Sequence, residues 1–151
     1  MRQRFTVVPA AYVIMRRGKE VLLIRRAYTG YFDGYYSFPS GHIDGGESAK
    51  TAAIREAKEE VGVVIKPEDL RFVHVMHRIA EEGDHERVDF AFETTEWQGE
   101  PTNVEPDKCD DVQWFPLDAL PDTIVPLARE MLEHVAAGSY YSDHRFETPA
   151  A

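Results

Sequence analysis

Along most of this chain apolar and polar positions alternate as they do in strands, and two stretches switch to a helical period. Residues 5–15, FTVVPAAYVIM, are rich in β-formers and run into a turn at Arg17 and Gly18. KEVLLIRR at 19–26 then predicts a second strand, and the two make a hairpin. LRFVHVMHRI at 70–79 reads as a strand with Val73, Val75, His77 and Ile79 on one face and Phe72, His74 and Met76 on the other. Both faces are then partly covered, and His77 is expected to be a satisfied core histidine rather than a ligand. A charged turn at 81–86 leads to 87–95, where Val88, Phe90 and Phe92 alternate with Asp89, Ala91 and Glu93 as in a half-buried strand, giving a second hairpin. A last strand is expected at 112–115. Leu127, Met131, Leu132 and Val135 then have the spacing of an amphipathic helix over 124–136 that stops near Gly138.

The first helical stretch is the more informative. Ser48 is a suitable N-cap and Gly62 a natural C′ residue, which places a helix over 49–61. At about 100° per residue, Glu56, Glu59 and Glu60 fall on the arc of Ala49, Ala52 and Ala53, while Thr51, Arg55 and Lys58 point elsewhere. Solvated surface charges would sit opposite the alanines. Carboxylates three and four residues apart repel, so a positive group is expected among them. Hard oxygen donors on one helix suit Mg²⁺ or Mn²⁺. Arg55 has a structural reading, pairing with a carboxylate or a loop carbonyl to fix the helix against the turn that precedes it. Gly41, Gly45 and Gly46 in that turn let a carbonyl face a metal or an amide face a phosphate.

Composition narrows the partners. The chain has 151 residues, 43% of them hydrophobic, which suits one domain over 1–151 with a tail from about 138. Tyr140, Tyr141 and Phe146 in that tail are candidates to pack on the body or on a second subunit, so a homodimer is one arrangement it allows. With 17 basic and 27 acidic residues the net charge is −10, a field that repels nucleic-acid polymers. A small phosphorylated ligand stays compatible, because a bound cation reverses the local potential. Cys109, the only cysteine, forms no internal disulfide, and a reducing cytoplasm is expected. The apolar run 6–15 is too short to span a bilayer and has the wrong flanking charges for a secretory leader, so neither membrane nor targeting segment is read. The loop 27–37, AYTGYFDGYYS, carries Tyr31, Phe32 and Tyr36 among its aromatics, which either stack on a planar ligand or cover the edge of the core. Strands before and after one internal helix, with a second helix near the end, give an α+β layered architecture.

Residues Gly41, Glu47, Arg55, Glu56, Ala57, Glu59, Glu60, Gly62 and Val63 together resemble the signature of the Nudix hydrolase family at every fixed position and gap. The resemblance implies an α/β/α sandwich with a mixed sheet between the motif helix and a C-terminal helix. It implies hydrolysis of a nucleoside diphosphate linked to another moiety, by attack of water on phosphorus. By motif position Glu56, Glu59 and Glu60 would be the principal ligands of Mg²⁺ or Mn²⁺, with the Gly41 carbonyl and Glu47 adding to them, and Arg55 would orient a glutamate. Glu60 is the first candidate for the general base and Glu105 the second. One of Arg25 and Arg26, with the aromatic loop, would bind the substrate. Size, layout and WFPLDALP before the last helix resemble the antimutator nucleoside triphosphatases. Markers of the ADP-ribose, dinucleoside polyphosphate and NADH subgroups are not found. The alternatives are an ADP-ribose, nucleotide-sugar or other dinucleotide pyrophosphatase and, from another class, a sensor that holds a nucleotide without cleaving it.

Overall fold

A computed structural model describes residues 2–80 and 85–147. The order is β1 (Val8–Arg17), β2 (Glu20–Arg26), β3 (Tyr36–Ser37), β4 (Ser40–His42), α1 (Ala49–Val61), β5 (Arg71–Ile79), β6 (Glu86–Thr94), β7 (Cys109–Pro116), α2 (Pro126–Ala136) and β8 (Tyr141–His144). The strands form one mixed sheet, β3-β2-β1-β6-β5-β8, with β4 added to β1 and β7 to β2. The expected α/β/α sandwich is the fold the chain adopts. Among the described residues no helix is long and apolar enough to cross a membrane. Most of the charged turn expected at 81–86 lies outside the described residues.

β1 is the centre of the sandwich. Its apolar run buries alternate residues in two different cores, as a strand covered on both sides must. Ala10, Tyr12 and Ile14 pack with Met131 and Leu132 of α2, while Ala11, Val13 and Met15 pack with Ala52, Ala53 and Ala57 of α1. The first hairpin is real but brief. β1 and β2 share only the pairs Arg16↔Val21 and Arg17↔Glu20 before they part. β1 continues as a parallel partner of β6 and an antiparallel partner of β4, whereas β2 pairs with β7. The space opened between the two halves becomes a cleft.

Three expectations about the strands need correction. β6 is central, not half-buried, so the polar alternates are the more deeply covered: Asp89, Ala91 and Glu93 are all buried. A register shift between Phe72 and His74 breaks the alternation of β5. The satisfied core histidine is therefore His74, not His77. Its Nδ1–H donates to Ser139 O at 2.7 Å and its Nε2 accepts from Ser142 Oγ at 2.7 Å, while His77 is partly exposed and pairs with Glu86. The aperiodic tail supplies β8, a parallel edge strand on β5. Four residues on an edge carry too little pattern to be read from sequence, and both Ser139 and Ser142 are tied to the histidine that the bulge turns inward.

α1 is positioned at both ends. Ser48 Oγ accepts from Thr51 N at 3.1 Å, and Gly62 takes the left-handed conformation at φ 76°, its N–H reaching Lys58 O. A Cβ at Gly62 would also lie 3.2 Å from Val104 Cγ1. Gly62→Ala is expected to lower the stability of the chain by about 1–2 kcal/mol, the cost of a left-handed L-residue; urea unfolding reads this, and an undiminished midpoint would mean that the cap is not what ends the helix.

Candidate active site

The cleft between the diverging halves has a volume of about 540 Å³. One wall is acidic. Gly41 of β4 and Glu56, Glu59, Glu60 and Glu105 all line it. Tyr12, Arg78, Arg87 and His42 line the same cleft, as do Arg26, Tyr31 and Lys108.

The acidic wall depends on a close approach. A Cβ on Gly41 would lie 2.1 Å from Glu56 Oε1, so only glycine leaves room for that carboxylate. Glu56 is buried, and burial raises its carboxyl above the ordinary value although Arg55 opposes the shift. Glu60 accepts from Ser40 N at 2.8 Å, and burial, then the nearby Glu56 charge, pushes it well up. Glu59 differs from the expectation of an inward residue. Its side chain is 50% exposed, because its direction falls at the margin of the buried arc of Ala52, Ala53, Glu56, Ala57 and Val61. Glu105 sits across from the helix and pairs with Lys108 Nζ at 3.4 Å, which raises the lysine.

Arg55 does not point elsewhere, as the helical layout suggested; it shares the margin with Glu59 and reaches back over the wall. Its Nη2 donates to Glu47 Oε1 at 2.6 Å and to the His42 carbonyl at 3.1 Å. Its Nη1 donates to Glu56 Oε1 at 2.8 Å and to Glu59 Oε2 at 3.3 Å, and Nε to Glu47 Oε2 at 3.1 Å. Glu47 also accepts from Asp44 N at 2.8 Å. The hydrogen bond from Arg55 holds the Glu47 carboxyl below its ordinary value, and Glu47 in turn holds Arg55 charged. Among the described residues no three His, Cys, Asp or Glu side chains are drawn together as a finished metal centre. The donors nonetheless suit a hard divalent cation. Glu56 fills the space a Gly41 side chain would take, and clustered carboxylate oxygens beside a backbone carbonyl are the ligands such an ion prefers. Glu47 is absorbed by Arg55 and braces the loop, away from the cleft surface.

Of the two adjacent arginines the structure turns Arg26 into the cleft and Arg25 out of it. Arg25 Nε donates to Asp110 Oδ1 at 2.6 Å. Arg26 Nε donates to the Tyr31 carbonyl at 2.7 Å and the guanidinium lies 5.2 Å from the Tyr31 ring. Of the aromatic candidates, only Tyr31 lines the cleft. Phe32 packs against the core under α2. Tyr36 is buried, with its hydroxyl donating to Asp111, and burial followed by that carboxylate pushes the phenol up to about 12. The loop owes its shape to Asp33, which accepts from Thr29 Oγ1, Thr29 N and Gly30 N. Tyr12, His42, Arg78, Arg87 and Lys108 are cleft residues that the sequence pattern did not single out. Each sits within an otherwise ordinary strand or loop; the pairing of β4, β1, β6 and β5 brings the first four together, and Lys108 comes from the loop before β7.

The family model for the NUDIX domain matches residues 6–135. The chain belongs to the Nudix family. The NAD-capped RNA hydrolase NudC of Pseudomonas aeruginosa is 32% identical over 133 residues, covering 84% of this chain and 42% of that protein. The chain thus spans less than half the length of that curated relative. A solved structure described as a MutT NUDIX hydrolase from Burkholderia pseudomallei superposes with a TM-score of 0.78 at 27% identity, over 85% of this chain and 97% of the other. A NUDIX hydrolase from Nitrosomonas europaea shares the fold at a TM-score of 0.76 and 21% identity, over 90% of this chain and 93% of the other. Nudix hydrolases are the enzymes whose motif and fold this chain carries, and they generally use divalent metal ions.

Two expectations follow from the geometry. Gly41→Ala displaces the flexible end of Glu56 rather than backbone, so melting should change little while turnover falls on the order of a hundredfold, as for a misplacement of about an ångström; turnover near that of the parent would show that the close approach is dispensable. The hydrogen bonds from Thr29 and Gly30 hold the Asp33 carboxyl below its ordinary value. Their stabilisation is complete above the ordinary carboxylate range and is lost as the pH falls through the depressed folded value. Amide-exchange protection of Gly30 should therefore hold at neutral pH and fall in acid below about pH 4, and protection unaffected by acid, or by Asp33→Asn at neutral pH, would contradict this.

Proposed function

We propose that the chain hydrolyses the pyrophosphate bond of a nucleoside diphosphate linked to a further group, with a nucleoside triphosphate as the leading substrate and the monophosphate and pyrophosphate as products. The observation that carries this reading is a single cleft lined both by the motif carboxylates and by arginine, histidine and tyrosine. Phosphoryl transfer needs charge neutralisation and positioned water more than a protein nucleophile. Mg²⁺ or Mn²⁺ would be held by Glu56, Glu59 and Glu60, with the Gly41 carbonyl beside them. Such an ion, when bound, neutralises phosphate charge and increases the acidity of water.

The remaining steps belong to the chain. Glu60, raised by burial and fixed by Ser40 N, takes the proton of the attacking water, and Glu105 is the second candidate for that task. The new bond forms between water oxygen and phosphorus as the bridging P–O bond breaks toward the departing phosphate group. Arg55 keeps Glu56 and Glu59 in place. Arg26 and Lys108 contact phosphate oxygens, and Tyr31 offers a face to the base. The buried free thiol of Cys109 suits a cytoplasmic setting.

A second reading has one observation in its favour: the relative at 32% identity is named for hydrolysis of NAD-capped RNA. A dinucleotide with a pyrophosphate bridge would use the same carboxylate wall and the same attack. A panel of (d)NTPs, NAD, ADP-ribose and nucleotide sugars, assayed with Mg²⁺ for released phosphate or pyrophosphate and for mononucleotide, separates the two readings. Preference for triphosphates supports the first, preference for dinucleotides the second, and no metal-dependent turnover on any member overturns both. Glu60→Gln is expected to lower kcat by about 10²–10⁴-fold, the range for a lost general base, with little change in melting temperature, and Glu59→Gln to lower it strongly as well. Near-normal turnover in both variants would remove these residues from the chemistry.

A further inference from the structure

Arg78 of β5 and Arg87 of β6 stand directly opposite each other in the antiparallel ladder, and both line the cleft. Two like charges facing each other across strands destabilise a sheet. Arg78 is moreover only 5% exposed. Among the described residues its partner is Asp89, which takes the Nε–H alone. The two terminal amino groups of the guanidinium are left to the cleft. Asp89 is itself wholly buried, and among the described residues its second oxygen has no hydrogen-bond partner; burial raises its carboxyl, and the nearby charges of Arg78 and Arg87 oppose that shift.

Arg87 is held differently. Its Nη1 donates to His42 Nε2 at 3.1 Å and its Nε to His85 Nε2 at 3.2 Å. An accepting imidazole is neutral and adds no negative charge. Asp89 pairs directly with Arg78 and acts on Arg87 only at longer range, and among the described residues no carboxylate lies within salt-bridge distance of Arg87. The support of Arg87 is also tied to the acidic wall, because His42 follows Gly41 and its carbonyl accepts from Arg55. Two guanidinium groups braced at fixed positions in the cleft that the carboxylates also line form a fork for the oxygens of a phosphate.

We propose that Arg78 and Arg87 together bind a phosphate of the substrate that lies beyond the bond being cut, and so select substrates that carry one. The proposal rests on the hydrolase reading. Two sources have this chemistry: the terminal phosphate of a nucleoside triphosphate, and a 3′-phosphate on the second nucleoside of a dinucleotide.

The test uses two matched pairs of non-hydrolysable ligands with Mg²⁺, an α,β-methylene nucleoside triphosphate against its diphosphate, and a methylene-bridged dinucleotide with and without a 3′-phosphate. Calorimetry on the intact chain should show preference for the phosphate-bearing member of one pair, which identifies the source. Arg87→Ala leaves the Arg78–Asp89 pair in place and should weaken that member about tenfold more than its match, the loss of one charge-assisted contact. Arg87→Gln, which retains most of the bulk, provides the same comparison should the alanine variant melt early. No preference in either pair, or a preference that survives both substitutions, overturns the proposal. Turnover of the substrate panel accompanied by no such preference overturns this inference alone, whereas a wild-type chain that turns over nothing overturns the hydrolase reading on which it rests.

Discussion

The acidic wall of the cleft holds together because one guanidinium ties it. Glu56, Glu59 and Glu60 lie on successive turns of α1, and each like-charged pair at such spacing costs a few tenths of a kcal/mol in water and more when partly buried. Arg55 answers with its fork: two contacts to Glu47 on the loop, one to Glu56, one to Glu59 and one to the His42 carbonyl. Only a planar group with several fixed donors makes so many contacts from one side chain; a lysine at that position would offer a point charge to one or two of them. Gly41 then decides how close the helix and β4 can come, since a side chain there would occupy the place of the Glu56 carboxylate. Arginine and glycine are in this sense one device, which sets the distance between helix and loop and keeps the carboxylates facing the cleft.

The rest of the molecule can be understood as the support for that device. β1 has two apolar faces, so it fixes α1 on one side of the sheet and α2 on the other. Its early separation from β2 creates the cleft on the side away from the hairpin turn, and β4 brings Gly41 and His42 to its edge. β6, between β1 and β5, carries the buried Asp89 that pairs with Arg78. Polarity within the cleft is thus set by which strand faces it, not by the average composition of the chain.

Much of this was legible in the sequence, and what was not had physical reasons. α1 could be placed to the residue because a serine cap, a glycine in the left-handed region and the alanine period all agree. The metal-suited character of its face followed from the same period, and the exposure of Glu59 was missed only because that residue lies at the margin of the arc, where a turn of some tens of degrees decides between inside and outside. The faces of β5 were misjudged because a bulge after Phe72 shifts the alternation, which leaves no mark in the residue types. β6 was taken as half-buried because Asp89 and Glu93 look like solvent-facing alternates; pairing on both edges buries them, and burial is set by neighbours that a strand's own pattern does not specify. Arg25 and Arg26 could not be distinguished without the pairing of β2 with β7, which gives Arg25 to Asp110 and leaves Arg26 for the cleft.

Charge shows the same separation between average and arrangement. A net charge of −10 sets the far field, and at physiological salt that field fades within about 8 Å, the screening length. A ligand that has passed into the cleft is governed by groups closer than this. There the carboxylates of α1 and the guanidinium groups of β5 and β6 line one space, each held by a partner that limits its movement: Arg55 for Glu56 and Glu59, Ser40 N for Glu60, Asp89 for Arg78, His42 for Arg87. The acidic wall can be altered through Gly41 or Arg55 and the guanidinium pair through Asp89 or His42, with Arg55 also holding the His42 carbonyl. The connection that remains is β4, where Gly41 meets Glu56 and the next residue meets Arg87. A change in the backbone of β4 should therefore move the Glu56 carboxylate and the Arg87 guanidinium together, because that three-residue strand touches both.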